Sequence, residues 1–182
     1  MAEIRGWRDV LCFPQVATKT QITAEQYLRM TFEHDAEFVH GEIVERAMPD
    51  YIHSRIQVLL AALFESLRRT HGLLACAELR MKIASGVYRI PDVAVFTQPP
   101  QQPVPDTPPL IAIEILSKDD RHSDLMQKLE EYLAWGVANI WVVDPITKRF
   151  SAYTHLGLQN VSSFSLPDYS FQLTPSDLFS DL

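Results

Sequence analysis

The chain has 182 residues, 47% apolar and 21% charged, with a formal net charge of −7 and two cysteines. That is enough chain for one domain with a real core, and no apolar run approaches the length of a membrane-spanning helix. The acidity argues against a protein that coats nucleic acid nonspecifically, because a negative field opposes approach to phosphate. It argues less against an enzyme acting on nucleic acid, since a bound metal brings its own positive charge. Cys12 and Cys76 are too few and too far apart for a disulfide framework or a zinc site. The first residues lack the apolar stretch and cleavage site of a secretory signal, so a cytoplasmic protein is expected.

Residues 1–22 show no clear period and read as an arm, with a single domain over 23–182. Thr23, with Gln26 three residues on, opens a short helix. Residues 37–46 read as a hairpin turning at His40-Gly41. From Tyr51 to His71, Ile52, Ile56, Leu59, Leu60, Leu63 and Leu67 recur at helical spacing, with Asp50 as N-cap and Gly72 as stop. Strand-like runs follow at 73–84, 87–96 and 110–116. Thr97 to Pro109 holds too many prolines for helix or central strand and forms a stiff loop. A second helix runs from Arg121 to Trp135 and stops at Gly136, leading into a buried strand at Asn139–Asp144 and a return strand at Phe150–Thr154. Another strand near 161–166 and a docked C-terminal segment complete the chain. The apolar residues Phe164, Phe171 and Phe179 of that segment either cover the core or form the interface of a homodimer, the assembly expected here.

The order helix, three strands, helix, strand predicts an α/β (α+β) fold. Its centre is a mixed sheet flanked by helices, an αβββαβ core whose last strand is parallel to its neighbour.

Two acidic residues interrupt apolar strand runs: Asp92 in Val87–Phe96 and Glu114 in Leu110–Leu116. A buried carboxylate needs a partner. A single one would pair with a nearby cation such as Arg89 or Lys118. Two in neighbouring strands can share a divalent ion, and hard oxygen ligands suit Mg²⁺ or Mn²⁺. On the second helix, Leu125, Leu129, Tyr132 and Leu133 form the apolar face, with Arg121, Asp124 and Lys128 along its margin. Lys128 either pairs with Asp124 in solvent or buries its stem and brings its ammonium to the sheet edge. His53 and Glu37 are further candidates, His53 as proton carrier or outer-shell ligand and Glu37 as metal ligand or water positioner. Tyr132 reads as core. Arg68, Arg69, Arg80 and Lys82 read as a solvated surface. No Gly-rich phosphate loop, G-x-S-x-G elbow, H-E-x-x-H or paired-Cys motif occurs.

Ile90-Pro-Asp-Val-Ala-Val95, Ile113-Glu-Ile-Leu-Ser117, Asp124-x-x-x-Lys128-x-x-x-Tyr132-x-x-x-Gly136 and Ile140-Trp-Val-Val-Asp-Pro145 occur in that order. Together with Glu37-Phe-Val-His-Gly41 and His53, they resemble the Uma-two family of the PD-(D/E)XK restriction-endonuclease-like superfamily, over about residues 23–180. The resemblance implies Mg²⁺-dependent cleavage of phosphodiesters, with DNA as substrate, Asp92 and Glu114 as metal ligands, and Lys128, Glu37 and His53 completing the site. The superfamily usually carries Lys two residues after the Glu; this chain has Leu116 there. It also has Ala36 where a Tyr is usual and His40 where an Asp is usual. The alternatives are a non-catalytic nucleic-acid- or protein-binding module that keeps the fold, and a metal-free carboxylate-pair hydrolase.

Overall fold

A computed structural model describes residues 21–118, 120–180 and 182. The arm up to residue 20, with Cys12, lies outside the described residues. Thr23 caps α1 (Ala24–Arg29) through the expected reciprocal pair: its hydroxyl accepts the Gln26 N–H at 3.2 Å, and the Gln26 amide oxygen accepts the Thr23 N–H at 2.8 Å. β1 (Ala36–Val39) and β2 (Glu42–Glu45) form the hairpin. His40 and Gly41 both have positive φ, +49° and +94°, as the favoured two-residue hairpin turn requires.

The helix expected over 51–71 is divided into α2 (Tyr51–Ser66) and α3 (Arg68–His71). The Ser66 hydroxyl donates to Leu63 O at 2.6 Å, a back-bond that competes with the helical ladder. Beyond Leu67 the sequence is polar, so the last turn has no apolar face to bury.

Two of the strand-like runs also divide. The first becomes β3 (Leu74–Ala77) and β4 (Met81–Ala84); the second becomes β5 (Val87–Arg89) and β6 (Val93–Phe96). β7 (Ile111–Ile115), α4 (His122–Trp135), β8 (Asn139–Asp144), β9 (Arg149–Thr154) and β10 (Gly157–Val161) follow. The six-stranded sheet has the order β10-β9-β8-β7-β6-β3 and the four-stranded sheet β2-β1-β5-β4. The chain therefore leaves the larger sheet after Ala77, makes β4 and β5 in the smaller one, and returns after Pro91. Glu78 at φ +51° turns it out. Pro91, lacking an N–H and restricting Ile90, ends ladder pairing before the return. Without that excursion the order is the expected αβββαβ: α2, β3, β6, β7, α4, β8. The helical crossover makes β7 and β8 parallel, while β6 and β7 are antiparallel.

Alternate residues of β7 face different layers. Ile111, Ile113 and Ile115 pack with Ile56, Leu60 and Phe64 of α2 and with the C-terminal β11 (Phe164–Leu166), β12 (Phe171–Leu173) and α5 (Pro175–Phe179). Phe164, Phe171 and Phe179 are all buried there, so this segment covers the chain's own core. Phe164 stacks between Trp141 and Phe150, with ring centroids 4.4 and 4.1 Å away. The opposite face of β7 carries Ala112 and Glu114, continues into Leu116 just beyond the strand, and lies under α4, where Leu129 and Tyr132 pack. Gly136, at φ +101°, takes the left-handed conformation that stops α4. Among the described residues no helix is long and apolar enough to cross a membrane.

Candidate active site

Asp92 does not lie within a strand. It occupies the bend between β5 and β6, after Pro91. The antiparallel register that sets Val93 opposite Ile113 brings Asp92 abreast of Glu114. Asp92 Oδ2 accepts the Ile115 N–H at 2.6 Å and faces His53 Nε2 at 3.4 Å. Its Oδ1 accepts from Arg46 Nη2 at 2.5 Å. Neither Arg89 nor Lys118 is its partner. Burial works against ionisation of Asp92, but the His53 hydrogen bond and the Arg46 guanidinium hold its pKa below the usual aspartate value.

Asp50 caps α2 by accepting the His53 N–H at 2.9 Å, which fixes His53 in the first turn, facing Asp92. Burial pulls the His53 pKa down and Asp92 more than reverses this, leaving it raised. Its Nδ1 is buried with no hydrogen-bond partner among the described residues.

Glu114 sits in the middle of β7, as expected. Its Oε2 accepts from Lys128 Nζ and its Oε1 from the Tyr132 hydroxyl, both at 2.9 Å. The i, i+4 spacing of Lys128 and Tyr132 on α4 places both over this one carboxylate. Burial pushes the Glu114 pKa up to about 7; Lys128 opposes the rise, while Asp92 and Glu37 add to it.

Lys128 is buried and does not pair with Asp124. Its ammonium also reaches Ile90 O at 2.9 Å and Glu37 Oε1 at 2.8 Å. Glu37 comes from β1 in the smaller sheet and ties that sheet to α4 through Lys128, which in turn meets Glu114 of the larger sheet. It accepts the Ile90 N–H at 2.8 Å on Oε1 and Arg89 Nη1 at 2.8 Å on Oε2. Burial raises the Glu37 pKa, but Lys128 and Arg89 outweigh it and leave it lowered. Arg89 in turn donates to Glu131 on α4 at 2.6 Å.

All five expected residues (Asp92, Glu114, Lys128, Glu37 and His53) line one cavity of about 320 Å³ between the sheets and α4. Arg46, Arg89, Arg121 and Asp124 line it too. Sequence reasoning missed Arg46, which reads only as the last residue of the hairpin and lies just beyond β2 in the structure. It missed the contact of Tyr132 with Glu114, because a tyrosine on an apolar helix face reads as core; Tyr132 is both. Leu116 shares a face with Glu114 but packs into the apolar cluster under α4. The ammonium that a strand lysine would bring to that face comes instead from Lys128.

Among the described residues, no group of three or more His, Cys, Asp or Glu side chains is placed to hold a metal ion. The relevant donor set is smaller: two buried carboxylates with hard oxygens. Asp92 Oδ1 and both Glu114 oxygens each accept one hydrogen bond, so each keeps a lone pair. Mg²⁺ retains several waters and needs only one or two carboxylates. The residues fit such an ion.

A crystal structure titled as a putative nuclease belonging to DUF820, from Anabaena variabilis, superposes with a TM-score of 0.78 at 24% identity, covering 87% of this chain and 98% of that one. This likeness identifies the fold as restriction-endonuclease-like. No curated protein matches the chain. The model of the Uma2 family, described as "Putative restriction endonuclease", matches residues 24–176. With most of its length covered by that match, the chain belongs to the nuclease-like Uma2 family.

Proposed function

We propose that this protein is an endonuclease that hydrolyses DNA phosphodiesters with Mg²⁺ or Mn²⁺ held by Asp92 and Glu114. The observation that carries the reading is the convergence of these carboxylates and the Lys128 ammonium in one cavity between the two sheets. When bound, the ion would polarise the phosphoryl oxygen and lower the pKa of a coordinated water. Lys128, fixed between Glu37 and Glu114, presents a preorganised positive charge for the developing phosphorane. Glu37 acts as a positioning residue: both its oxygens are engaged by Ile90, Arg89 and Lys128. His53 orients Asp92 from the first turn of α2.

The test is incubation of plasmid and oligonucleotide DNA with the purified protein and Mg²⁺ or Mn²⁺. Cleavage is expected, with loss in EDTA and in Asp92→Ala and Lys128→Ala. One observation favours a second reading, a binding module without catalysis: Arg46 and Lys128 already neutralise Asp92 and Glu114 without a metal. Oligonucleotide binding without cleavage under any divalent ion would support that reading and overturn the first.

A further inference from the structure

We propose that Arg46 is an exchangeable counter-cation, which holds Asp92 when no metal is bound and must leave it for a divalent ion to enter. This rests on the reading of Asp92 and Glu114 as metal ligands.

Among the three cations paired with the cavity's buried carboxylates, Lys128, Arg89 and Arg46, the contacts set Arg46 apart. Lys128 is tied to Glu37, Glu114 and the Ile90 carbonyl. Arg89 is tied to Glu37 and Glu131. Among the described residues, Arg46 makes one close side-chain contact, to Asp92 Oδ1; its Nη1 meets Glu78 only at 3.6 Å, and that carboxylate is 37% exposed. The Arg46 side chain is 17% exposed against 3% for Asp92, so it is the more solvent-accessible partner. Its backbone is held, with the N–H donating to Asp35 O at 3.1 Å, so exchange requires only side-chain rotation.

The other Asp92 oxygen is committed to the Ile115 N–H and to His53. The lone pair left for a metal is therefore on Oδ1, the oxygen that Arg46 occupies. A dication placed there lies against a guanidinium, and like charges at such range repel strongly in a poorly solvated site. Apparent metal affinity is then reduced by the fraction of molecules in which Arg46 has left Asp92.

The experiment is calorimetric titration of the full chain with Mn²⁺, comparing wild type, Arg46→Gln and Arg46→Lys at fixed pH and ionic strength. Gln keeps a hydrogen-bond donor and much of the side-chain volume, so the fold is retained while the charge is lost. Arg46→Gln should bind Mn²⁺ about tenfold more tightly than wild type, and Arg46→Lys should stay within about twofold of wild type. Thermal unfolding gives an independent readout: without metal, Arg46→Gln should melt below wild type, and Mn²⁺ should raise its Tm by more. Equal or weaker binding by Arg46→Gln, or equal tightening by both variants, would overturn the exchange while leaving the metal site standing. Failure of all three proteins to bind Mn²⁺ would overturn the exchange and the metal reading together.

Discussion

The two faces of β7 show how one strand serves two chemistries. On one side Ile111, Ile113 and Ile115 meet α2 and the C-terminal phenylalanines in an apolar layer. On the other, Glu114 meets Lys128 and Tyr132 of α4, with Glu37 and Asp92 close by. The alternation of side chains along a strand separates these environments by one residue. Burial on the apolar side stabilises the fold through close packing and needs no hydrogen-bonding or charged partners. On the polar side, desolvating each charge is unfavourable and is offset only by well-placed partners. The apolar face can therefore hold the strand in position while the polar face carries charges that would not fold a protein by themselves.

Perturbing the apolar face should change stability alone. Phe164→Ala removes the ring between Trp141 and Phe150 and should cost about 3–5 kcal/mol, measured by denaturant unfolding. Mn²⁺ affinity at a temperature where the variant is folded should not move. A change in affinity would mean that the two faces are coupled through β7.

On the polar face, pH is the reagent. Glu114 has a folded pKa of about 7, above its ordinary 4.5, so the folded chain retains a proton that the unfolded chain releases. Its contribution to stability is complete below about pH 4.5 and is lost as pH rises through 7. Asp92 and Glu37 have lowered pKa values, so their contributions are present above the ordinary carboxylate range and are lost as pH falls through their folded values. Thermal unfolding without metal between pH 4.5 and 7 should show wild type losing stability relative to Glu114→Gln. Parallel curves would mean that Glu114 is ionised throughout. Lys128→Met tests the same pair from the other side. Removing one partner of a buried ion pair often costs about 3–5 kcal/mol, but Glu114 can take up a proton, so about 2–3 kcal/mol is expected. Adding Glu114→Gln should recover part of that loss, and DNA cleavage should fall about 100-fold or more in Lys128→Met.

The contrast between the faces also explains what could be read from the sequence. Carboxylates inside apolar runs stand out, so Asp92 and Glu114 were visible, and helical spacing placed Lys128 on the margin of the α4 face. The strand break at Ile90-Pro91 was masked because Val87–Phe96 is buried throughout. The chain changes sheets there without any residue emerging to solvent, and the polar Arg89 and Asp92 that flank the switch are buried with the rest. That hidden switch explains why Arg89, close to Asp92 in sequence, pairs with Glu37 and Glu131 instead. Arg46 was invisible for a different reason. It reaches Asp92 across 46 positions of sequence from the end of the β1–β2 hairpin, and only the tertiary fold brings the two together.

Tyr132 is where the two kinds of burial meet, and it gives the smallest and sharpest test. Its ring packs in the apolar cluster under α4, while its hydroxyl donates to Glu114 Oε1. Tyr132→Phe keeps the ring and removes the donor, so packing is retained and any effect belongs to the hydrogen bond. The loss should be about 1–2 kcal/mol at a pH where Glu114 is ionised. It should shrink at low pH, where the protonated carboxyl depends less on a donor. Because the hydroxyl stabilises the carboxylate, its removal should also raise the Glu114 pKa, shifting the alkaline loss of stability to higher pH. If Tyr132→Phe costs the same at every pH, the tyrosine serves Glu114 only as packing, and burial and the neighbouring charges of Lys128, Asp92 and Glu37 set its ionisation.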